Sequence, residues 1–599
     1  MSNCFFTFDV NFFPANKNHP FGLPNACTCR TNIFQITGMR DPNFLYFHAC
    51  SFNHMSNNEG SVTMFNILVA DSLPAAILER YNTLDDVRVD NRAGISKDEL
   101  VKILSEYDGL VVRSRTKVTP DVLENGSRLK IIGRAGAGVD NIDTKAATHR
   151  GIIVMNTPGG NTIAATEHTI ALMLSTLRNI PAANASMRAG KWDRKTYMGH
   201  EVFEKTVGVV GLGKIGHGVA KRLKAFDAKI LAYDPIMTRE KANRLGVELV
   251  GFRELLARSD IITLHVPKMP ETLNLINAET LKLCKDGVVF VNCARGGIIN
   301  EKDMIEALNS GKVAMAAIDV YESEPPENWD LARHPKVTAT PHLGASTEEA
   351  QTKVADQILQ QMIEYFRKGV ALNAINFVSV DEKIQPIIAP YFALADRLGS
   401  LFSQFKPGRL KEVAIRLYGD IIHLPDTPIA SHLLAGALKS GSKTENHSVD
   451  LINMVNSIAI AREKGVNIEI SKKDRPLTSH TNFIACDFHT DKGMIHLGGT
   501  IYAKNHYRLI EFGNYTVDAD LNEKIVIVEN RDVPGIIGKV GTLWAEDNIN
   551  ITHVSSGRQT DKQMAVNIFN VEGKWNGGLR QRLEAIPNVE RVLLVELPR

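Results

Sequence analysis

The sequence predicts an α/β protein whose main sheets are parallel. Three observations lead to this class. Short apolar runs of strand length recur along the chain, stretches with helical spacing separate them, and residues 205–235 read as strand, glycine-rich turn, helix and second strand. Strands that alternate with helices favour parallel pairing, because a crossover between parallel strands needs about the length of a helix.

Length and composition bound the class of protein. The chain has 599 residues, 44% hydrophobic and 23% charged, so several domains with cores of their own are expected. Lys and Arg number 69 against 67 Asp and Glu, a net charge of +2, which argues against a nucleic-acid partner. No apolar run is long enough to predict a membrane span. Seven cysteines do not form a disulfide framework and favour a reducing, intracellular setting.

Residues 1–63 differ from the rest of the chain because they show no apolar periodicity. We expect a poorly ordered extension, with a start codon placed too far upstream as the alternative, because the folded pattern begins after Met64. It is poor in acidic residues, as transit peptides are, but lacks their Arg-rich amphipathic pattern. We therefore expect a cytoplasmic protein, with organellar targeting by this extension left open. Cys27 and Cys29 lie near His48 and His54, but Cys-x-Cys is not the spacing of a zinc pair, and no metal site is predicted.

Strands and helices alternate from Met64 to about residue 341. The first of them are strands at 65–70, 109–112 and 129–132, with helical stretches at 75–78 and 120–123. A long helix is predicted over 346–369, with Ser346 or Thr347 as its N-cap and two glutamates in its first turn. Linker-like sequence follows over 373–390.

The glycine-rich turn after the strand at 206–210 is the most informative segment. Its first glycine permits the tight turn, the second lets a pyrophosphate approach the backbone, and the third allows helix and strand to pack closely. An acid at the end of the next strand would bind the adenosine ribose and repel a 2′-phosphate, which favours NAD over NADP. The alternative is a turn that binds no nucleotide. The candidate cofactor residues here are Gly211, Gly213, Lys214, Ile215, Gly216 and Asp234.

Three segments downstream carry groups suited to oxidising a hydroxy acid. Two of them follow predicted strands, at the sheet edge where ligands bind in open α/β folds, and the third supplies a histidine just before the predicted long helix. Oxidation of an alcohol needs a base for the hydroxyl proton, and histidine serves near neutral pH. A paired carboxylate would stabilise the charged imidazole, and an arginine can hold a substrate carboxylate. Taken singly, a surface salt bridge or a solvated loop would explain each residue. The residues are Arg295, Glu322 or Glu324, and His342.

Together these segments resemble the D-isomer-specific 2-hydroxyacid dehydrogenases. In that family an Arg-Gly after a strand, the acid of a D-V-[FY]-x-x-E-P motif and the histidine of P-H-x-[GA] form a catalytic triad. The resemblance assigns these roles to Arg295, Glu324 and His342, since Glu322 lies two positions from the family's acid.

The resemblance covers 64–599 and implies four folded domains. A flavodoxin-like substrate-binding domain and a Rossmann-type NAD-binding domain come first, followed by an α/β intervening domain and a ferredoxin-like βαββαβ ACT domain. The expected ranges are 64–157 with 346–376, then 158–345, 380–520 and 524–599.

Within the family, the longer motifs are similar to those of members that oxidise 3-phosphoglycerate to 3-phosphohydroxypyruvate, the first step of L-serine biosynthesis. A phosphate needs extra cations, and Arg113 and Arg134 each follow an apolar strand. By resemblance, the substrate residues are Arg113, Ser114, Arg134, Asn161 and Arg194, the last offered across a dimer interface. A solvated helix end is the alternative for Arg194. Further cofactor residues implied in the same way are His265, Pro267, Thr272, Cys293, Asp319 and Gly344.

The last third of the chain resembles regulatory modules. Residues 453–466 predict an amphipathic helix of the intervening domain. The ACT-like segment implies L-serine as a candidate effector, with Asp532 and Asn550 at the matching positions and helix N–H groups near the first of them. A purely structural dimerisation module is the alternative.

The resemblance implies NAD-dependent oxidation of 3-phosphoglycerate by a homodimer or homotetramer. A dehydrogenase for glycerate, hydroxypyruvate or D-lactate is the nearest alternative, and it would need neither the phosphate cations nor the regulatory tail. A non-enzymatic NAD-sensing protein on the same fold is the alternative from another class.

Overall fold

Four β-sheets follow one another along the described part of the chain in the computed structural model. The described residues are 64–597 except 379, 381–382, 406–407, 440–451, 475–480, 504–505, 523, 560 and 576–577. The extension expected at 1–63 lies outside them.

The first sheet holds five parallel strands. Its elements are β1 (Phe65–Val69), α1 (Ala75–Tyr81), β2 (Val87–Asn91), α2 (Lys97–Ile103), β3 (Gly109–Val112), α3 (Pro120–Glu124), β4 (Ile131–Arg134), α4 (Thr144–His149) and β5 (Ile153–Asn156). The order β2-β1-β3-β4-β5 is the flavodoxin-like order. Every residue of β3 and β5 is buried, because helices cover both faces of a parallel sheet.

The second sheet holds seven parallel strands. Its elements are α5 (Thr162–Leu177), α6 (Ile180–Arg188), β6 (Thr206–Val210), α7 (Lys214–Lys224), β7 (Lys229–Tyr233), α8 (Arg239–Leu245), β8 (Glu248–Leu249), α9 (Phe252–Arg258), β9 (Ile261–Leu264), α10 (Ala278–Lys282), β10 (Val288–Asn292), α11 (Glu301–Ser310), β11 (Val313–Ile318), α12 (Asp330–Arg333) and β12 (Val337–Ala339). The order β12-β11-β10-β9-β6-β7-β8 reverses between β6 and β9. A crevice therefore opens at the carboxyl ends of those two strands, as in Rossmann-type sheets.

Helix α13 (Glu348–Lys368) returns the chain from the second sheet to the first. Thr347 is its N-cap and accepts a hydrogen bond from Ala350 N at 3.2 Å. The helix packs closely on the sheet at Gly133, which has no side chain. A Cβ there would stand 2.5 Å from Met362 Sδ and 2.6 Å from Ile358 Cγ1. This packing joins the segment after 346 to the first sheet.

The third sheet has six strands, of which only β13 and β14 pair in parallel. Its elements are α14 (Gln385–Phe405), β13 (Leu410–Tyr418), α15 (Asp426–Leu438), α16 (Ser457–Glu463), β14 (Asn467–Lys473), β15 (Phe483–Thr490), β16 (Gly493–Ala503), β17 (His506–Phe512) and β18 (Tyr515–Asp520). The order is β14-β13-β15-β16-β17-β18. Helices α14 and α15 pack on one face and bury its apolar residues.

The fourth sheet is antiparallel, in the order β20-β21-β19-β22. Its elements are β19 (Lys524–Arg531), α17 (Ile536–Glu546), β20 (Asn550–Gln559), β21 (Met564–Glu572), α18 (Leu579–Glu584) and β22 (Val589–Glu596). This is the ferredoxin-like βαββαβ arrangement. One face of the sheet carries Ile527, Ile568 and Val595, which belong to the same buried cluster as the core of the third sheet.

The predicted helix over 453–466 is wrong at both ends, since α16 spans Ser457–Glu463 only. The residues before it bind the first sheet's domain instead. Asn453 Nδ2 donates to the carbonyl of Gly151 at 2.8 Å, and Asn456 Nδ2 donates to that of His149 at 3.1 Å. Between them Met454 and Val455 pack into the core of that domain. We call residues 453–456 the docking segment.

The predicted α/β class, with its Rossmann-type and flavodoxin-like sheets, is confirmed. The predicted linker over 373–390 is partly wrong, because α14 begins at Gln385 and contains Pro390. No helix in the described ranges combines the length and apolarity that crossing a bilayer requires.

Candidate active site

The glycine-rich turn joins β6 to α7 at the carboxyl edge of the second sheet. Gly211 has φ +93° and lies against the backbone carbonyl of His265, so a side chain there would be strained and obstructed. A Cβ on Gly216 would overlap the carbonyl oxygen of Gly211. Gly213, the N-cap of α7, has no heavy atom within 4 Å of its Cβ position. The backbone at Gly213 is therefore open to close approach, and the free N–H groups at the start of α7 suit the pyrophosphate of a dinucleotide.

Two charged residues flank this turn. The carboxylate of Asp234 accepts hydrogen bonds from three backbone N–H groups, one of them Leu212 N at 2.8 Å. It is thereby fixed at the end of β7, where the adenosine ribose lies in this fold. Lys214 Nζ donates to the carbonyl of Pro158 at 3.2 Å, which ties the start of α7 to the segment between the sheets. Ile215 packs on the core beneath.

The loop after β9 forms the other edge of the crevice. Burial lowers the pKa of His265 to about 4, so its ring is neutral at physiological pH, and Nε2 is bonded to Thr263 Oγ1 at 2.9 Å. Thr272 Oγ1 donates to the carbonyl of Pro267 at 2.6 Å and folds the loop back on itself. Of these predicted cofactor residues, His265 lies directly against Gly211.

His342 and Glu324 form a direct pair. His342 Nδ1 lies 2.6 Å from Glu324 Oε2, and both side chains are about one third exposed, at 37% and 36%. Since a carboxylate only accepts, Nδ1 carries the shared hydrogen and Nε2 is left to take a proton. Glu322 is turned elsewhere, because its backbone N–H and a carboxylate oxygen both bond Glu301.

Asp319, Cys293 and Gly344 lie together behind this pair. Asp319 is fully buried and accepts a hydrogen bond from Gly344 N at 3.0 Å. Burial and the charge of Asp319 raise the pKa of the Cys293 thiol to about 12. The thiol is thus protonated at neutral pH.

Arg295 follows β10 and reaches across to the first sheet's domain. Its Nε donates to Asp140 Oδ2 at 2.9 Å, and Nη1 donates to the carbonyl of Ala294 at 2.7 Å. A Cβ on Gly296 would overlap the carbonyl of Tyr321, so the Arg-Gly turn packs directly on the segment that leads to the acid.

Arg134 is a cation with an incomplete set of partners. Burial, and next the charge of Arg295, lower its pKa to about 10, so it stays charged at neutral pH. Its buried Nε has no hydrogen-bond partner among the described residues. A buried donor of this kind is costly unless a ligand completes it, and the matching ligand is an anion.

A cleft of about 1110 Å³ separates the first two sheets. It brings together six of the predicted residues and the cations Arg115, Lys117 and Arg333. The six are Arg113, Ser114, Arg134, Asn161, Glu324 and His342. Cations and a histidine–carboxylate pair thus share one cavity, which suits proton transfer on an anionic substrate.

Arg194 is not among the residues that line this cleft. It lies in an exposed stretch after α6, next to the exposed Trp192. A single chain does not bring it to the site.

The two predicted effector residues lie at opposite ends of the fourth sheet. Asp532 follows Arg531, which pairs with Met564 at one end, whereas Asn550 pairs with Glu572 at the other. One chain therefore does not join Asp532 and Asn550 in a single site. The cause is topological, because α17 carries the chain back along the sheet between them.

Sequence reasoning missed two residues of the site. Asp140 follows Arg134 in the stretch 133–141, and its contact with Arg295 spans 155 positions. His168 lies within 3.1 Å of Asp319, but a lone histidine in an apolar helix gives no signal of its own.

Two parts of the chain match known family models. Residues 170–344 match the NAD binding domain of the D-isomer specific 2-hydroxyacid dehydrogenases. Residues 387–513 match the intervening domain of D-3-phosphoglycerate dehydrogenase.

Curated relatives match most of the chain. A D-3-phosphoglycerate dehydrogenase of Synechocystis sp. is 37% identical over 538 residues, 90% of this chain and 96% of the relative. One from Archaeoglobus fulgidus is 39% identical over 504 residues, 84% of this chain and 94% of the relative. D-3-phosphoglycerate dehydrogenase 2, chloroplastic, of Arabidopsis thaliana is 35% identical over 548 residues, 89% of this chain and 86% of the relative.

Proposed function

Since this chain belongs to the D-3-phosphoglycerate dehydrogenases, within the D-isomer-specific 2-hydroxyacid dehydrogenase family, we propose how its residues carry out the reaction. The protein is an NAD-dependent oxidoreductase. Its function is the oxidation of 3-phosphoglycerate to 3-phosphohydroxypyruvate, which opens L-serine biosynthesis. The observation that carries the residue assignment is the pair of His342 and Glu324, 2.6 Å apart in a cleft lined with arginines.

His342 is the general base in this proposal. Its Nε2 takes the proton of the C2 hydroxyl, and Glu324 keeps the ring in the tautomer that leaves Nε2 free. Bound NAD supplies the acceptor for the hydride that leaves the same carbon. Arg295 binds the substrate carboxylate and polarises the carbonyl oxygen as it forms.

Arg134 and Arg113 hold the phosphate in this proposal. The partnerless Nε of Arg134 supports the role, since a phosphate oxygen would complete it. Arg113 is anchored through its backbone N–H to Asp71 and through Nη1 to the carbonyl of Ser72 at 3.0 Å, which leaves its remaining donors for the ligand.

The test is NADH formation by the full chain with 3-phosphoglycerate, D-glycerate and D-lactate. We expect kcat/KM for 3-phosphoglycerate to exceed the other two by about 10⁴-fold, since a site built for a charged group penalises substrates that lack it. His342→Gln should lower kcat by roughly 10²–10⁴-fold and leave NADH binding unchanged. Equal rates with all three substrates, or an unchanged kcat in the variant, would contradict the assignment.

We propose that the protein is a homodimer joined through the region around α6. The support is that six large apolar side chains between positions 163 and 203 are exposed and would leave water in contact with a second copy: Ile163, Ile180, Met187, Trp192, Met198 and Phe203. Such a dimer offers Arg194 to the cleft of the second copy. Sedimentation should give a dimer or tetramer, and Met187→Glu should shift it toward the monomer.

We propose that L-serine binds between two copies of the fourth sheet. Asp532 and Asn550 lie at opposite ends of that sheet, so an antiparallel pair of sheets would join one of each. Asp532 is paired with Arg558 at 2.7 Å, a contact that serine must share. Inhibition of NADH formation by serine, lost in Asn550→Ala, would support this site.

A further inference from the structure

Asp319 holds the segment that carries the catalytic histidine. Its carboxylate accepts hydrogen bonds from Thr340 Oγ1 at 2.6 Å, from Leu343 N at 2.8 Å and from Gly344 N at 3.0 Å. Its backbone carbonyl accepts from His342 N at 2.9 Å. The segment 340–344 is thus wrapped around one buried carboxylate.

These hydrogen bonds to Asp319 matter because His342 has φ +55°, in the left-handed region. A residue with a Cβ is strained there and persists only when its surroundings fix it. The hydrogen bonds to Asp319 from the residues on both sides of His342 supply that restraint. Whatever fixes Asp319 therefore also fixes the imidazole.

His168 fixes Asp319 from the other side. It lies on α5, with Nε2 3.1 Å from Asp319 Oδ1 and 3.4 Å from Thr340 Oγ1, and its side chain is 18% exposed. Among the described residues it is the one basic side chain within ion-pair distance of this carboxylate. Burial alone would raise the pKa of Asp319, but the hydrogen bonds from His168 and Thr340 lower it overall.

We propose, on the basis of the function given above, that His168 is a positioning residue for the reaction. It holds Asp319, and through it the 340–344 segment, so that His342 meets the substrate and Gly344 meets the cofactor in a fixed geometry. The ligand atoms of His168, Cys293 and Asp319 lie within 4.8 Å of one another, but the proposal needs no metal, because Thr340, Leu343 and Gly344 already donate hydrogen bonds to the Asp319 carboxylate.

The test compares His168→Leu, which removes the donor, with His168→Gln, which keeps one, in the full chain. We expect His168→Leu to lower kcat about tenfold, since a small misplacement of a catalytic group has effects of that order or more, with KM for 3-phosphoglycerate within about twofold. NADH affinity should fall several-fold, and His168→Gln should recover most of both losses. Glu167→Gln, one position away and 62% exposed, is the matched control and should change neither.

Two readouts separate this proposal from the proposed function. NADH affinity, followed by fluorescence, needs no substrate, so it still tests His168 if 3-phosphoglycerate is not oxidised. Wild-type kcat and NADH affinity in His168→Leu would overturn the proposal. The proposal would also be overturned if His168→Gln did not recover kcat and NADH affinity and the losses paralleled a lower melting temperature. His168 would then contribute only to the stability of the fold.

Discussion

Arg134 shows how a single residue trades stability for binding. Its pKa is lowered to about 10, first by burial and then by the neighbouring Arg295 charge, and its Nε has no partner among the described residues. A cation whose folded-state pKa is depressed destabilises the fold at neutral pH. The same features make it a strong receptor for an anion.

Replacing Arg134 by Met should therefore separate the two effects. We expect KM for 3-phosphoglycerate to rise about 10–100-fold, which corresponds to the loss of one or two charged hydrogen bonds. The melting temperature should stay equal or increase, because the unpaired donor is removed. The guanidinium of Arg128 is paired with Asp108 at 2.9 Å. Arg128→Met should therefore lower the melting temperature and leave KM for 3-phosphoglycerate unchanged. A lower melting temperature in Arg134→Met would contradict this account.

Sequence motifs predicted most residues of the site. The others became visible only in the structure, because they contact residues that are distant in sequence. His342 and Glu324 were predictable because each lies in a short motif that follows a strand, and the two strands, β12 and β11, are neighbours in the sheet. Asp140 and His168 were not, since their partners Arg295 and Asp319 lie far away along the chain. The left-handed backbone at His342 also has no signature in the sequence.

At the scale of elements, two glycines of the strand–turn–helix in the second sheet have different roles, one in packing and one in cofactor access. A Cβ on Gly216 would overlap the carbonyl of Gly211, whereas a Cβ on Gly213 would meet nothing within 4 Å. We expect Gly216→Ala to lower the melting temperature and also weaken NAD binding. Gly213→Ala should leave the melting temperature unchanged and weaken only NAD binding, because its methyl group would stand where the pyrophosphate approaches. Thermal melts and NADH titrations of both variants measure this, and equal effects on stability would refute it.

The third sheet carries a ladder of charges across four strands. His496 bonds Asp487 at 2.5 Å and Glu511 at 2.7 Å, and Arg416 bonds Asp487 at 2.6 Å. Burial alone would lower the pKa of His496, but these two carboxylates raise it to about 9. Burial by itself would raise the pKa of Asp487, and the bonds from His496 and Arg416 instead hold it well below its usual range.

This ladder predicts a pH dependence of stability. An unfolded histidine has a pKa near 6.5, so the raised value in the fold adds stability that is complete below about pH 6.5 and is lost as pH rises through about 9. The melting temperature of this domain should fall over that interval, and His496→Gln should flatten the fall. Calorimetry from pH 6 to 9.5 checks it, with His506→Gln, at an exposed position, as the control. An equal fall in both variants would exclude the ladder as its source.

Element boundaries were predictable where the chain obeys local rules. Helix α13 was expected from its N-cap and first-turn acids, and Thr347 proved to be the N-cap. The docking segment broke the rule, since 453–456 have helical spacing but bind carbonyls of another domain. Pro390 lies within α14, where sequence alone favours a break. At the docking segment, tertiary contacts outweighed local preference.

At the scale of the whole molecule, the four sheets are joined by packing as well as by chain. The docking segment inserts Met454 and Val455 into the first sheet's core, and one apolar cluster runs through the third and fourth sheets. The fold class and the order of these domains could be foreseen from the sequence. The contacts between the domains could not be foreseen, since they depend on which surfaces pack together in the folded chain.

The shared cluster has a consequence for how the chain could be shortened. Cutting after β18 would remove the part that the fourth sheet contributes to the buried cluster containing Leu509, Val517 and Ala519. Apolar residues of the remaining fragment would be exposed to water, and the fragment would tend to aggregate. The fourth sheet is thus part of the same core as the third sheet, and any loss of activity in a chain shortened at this point would reflect a damaged core as well as the missing domain.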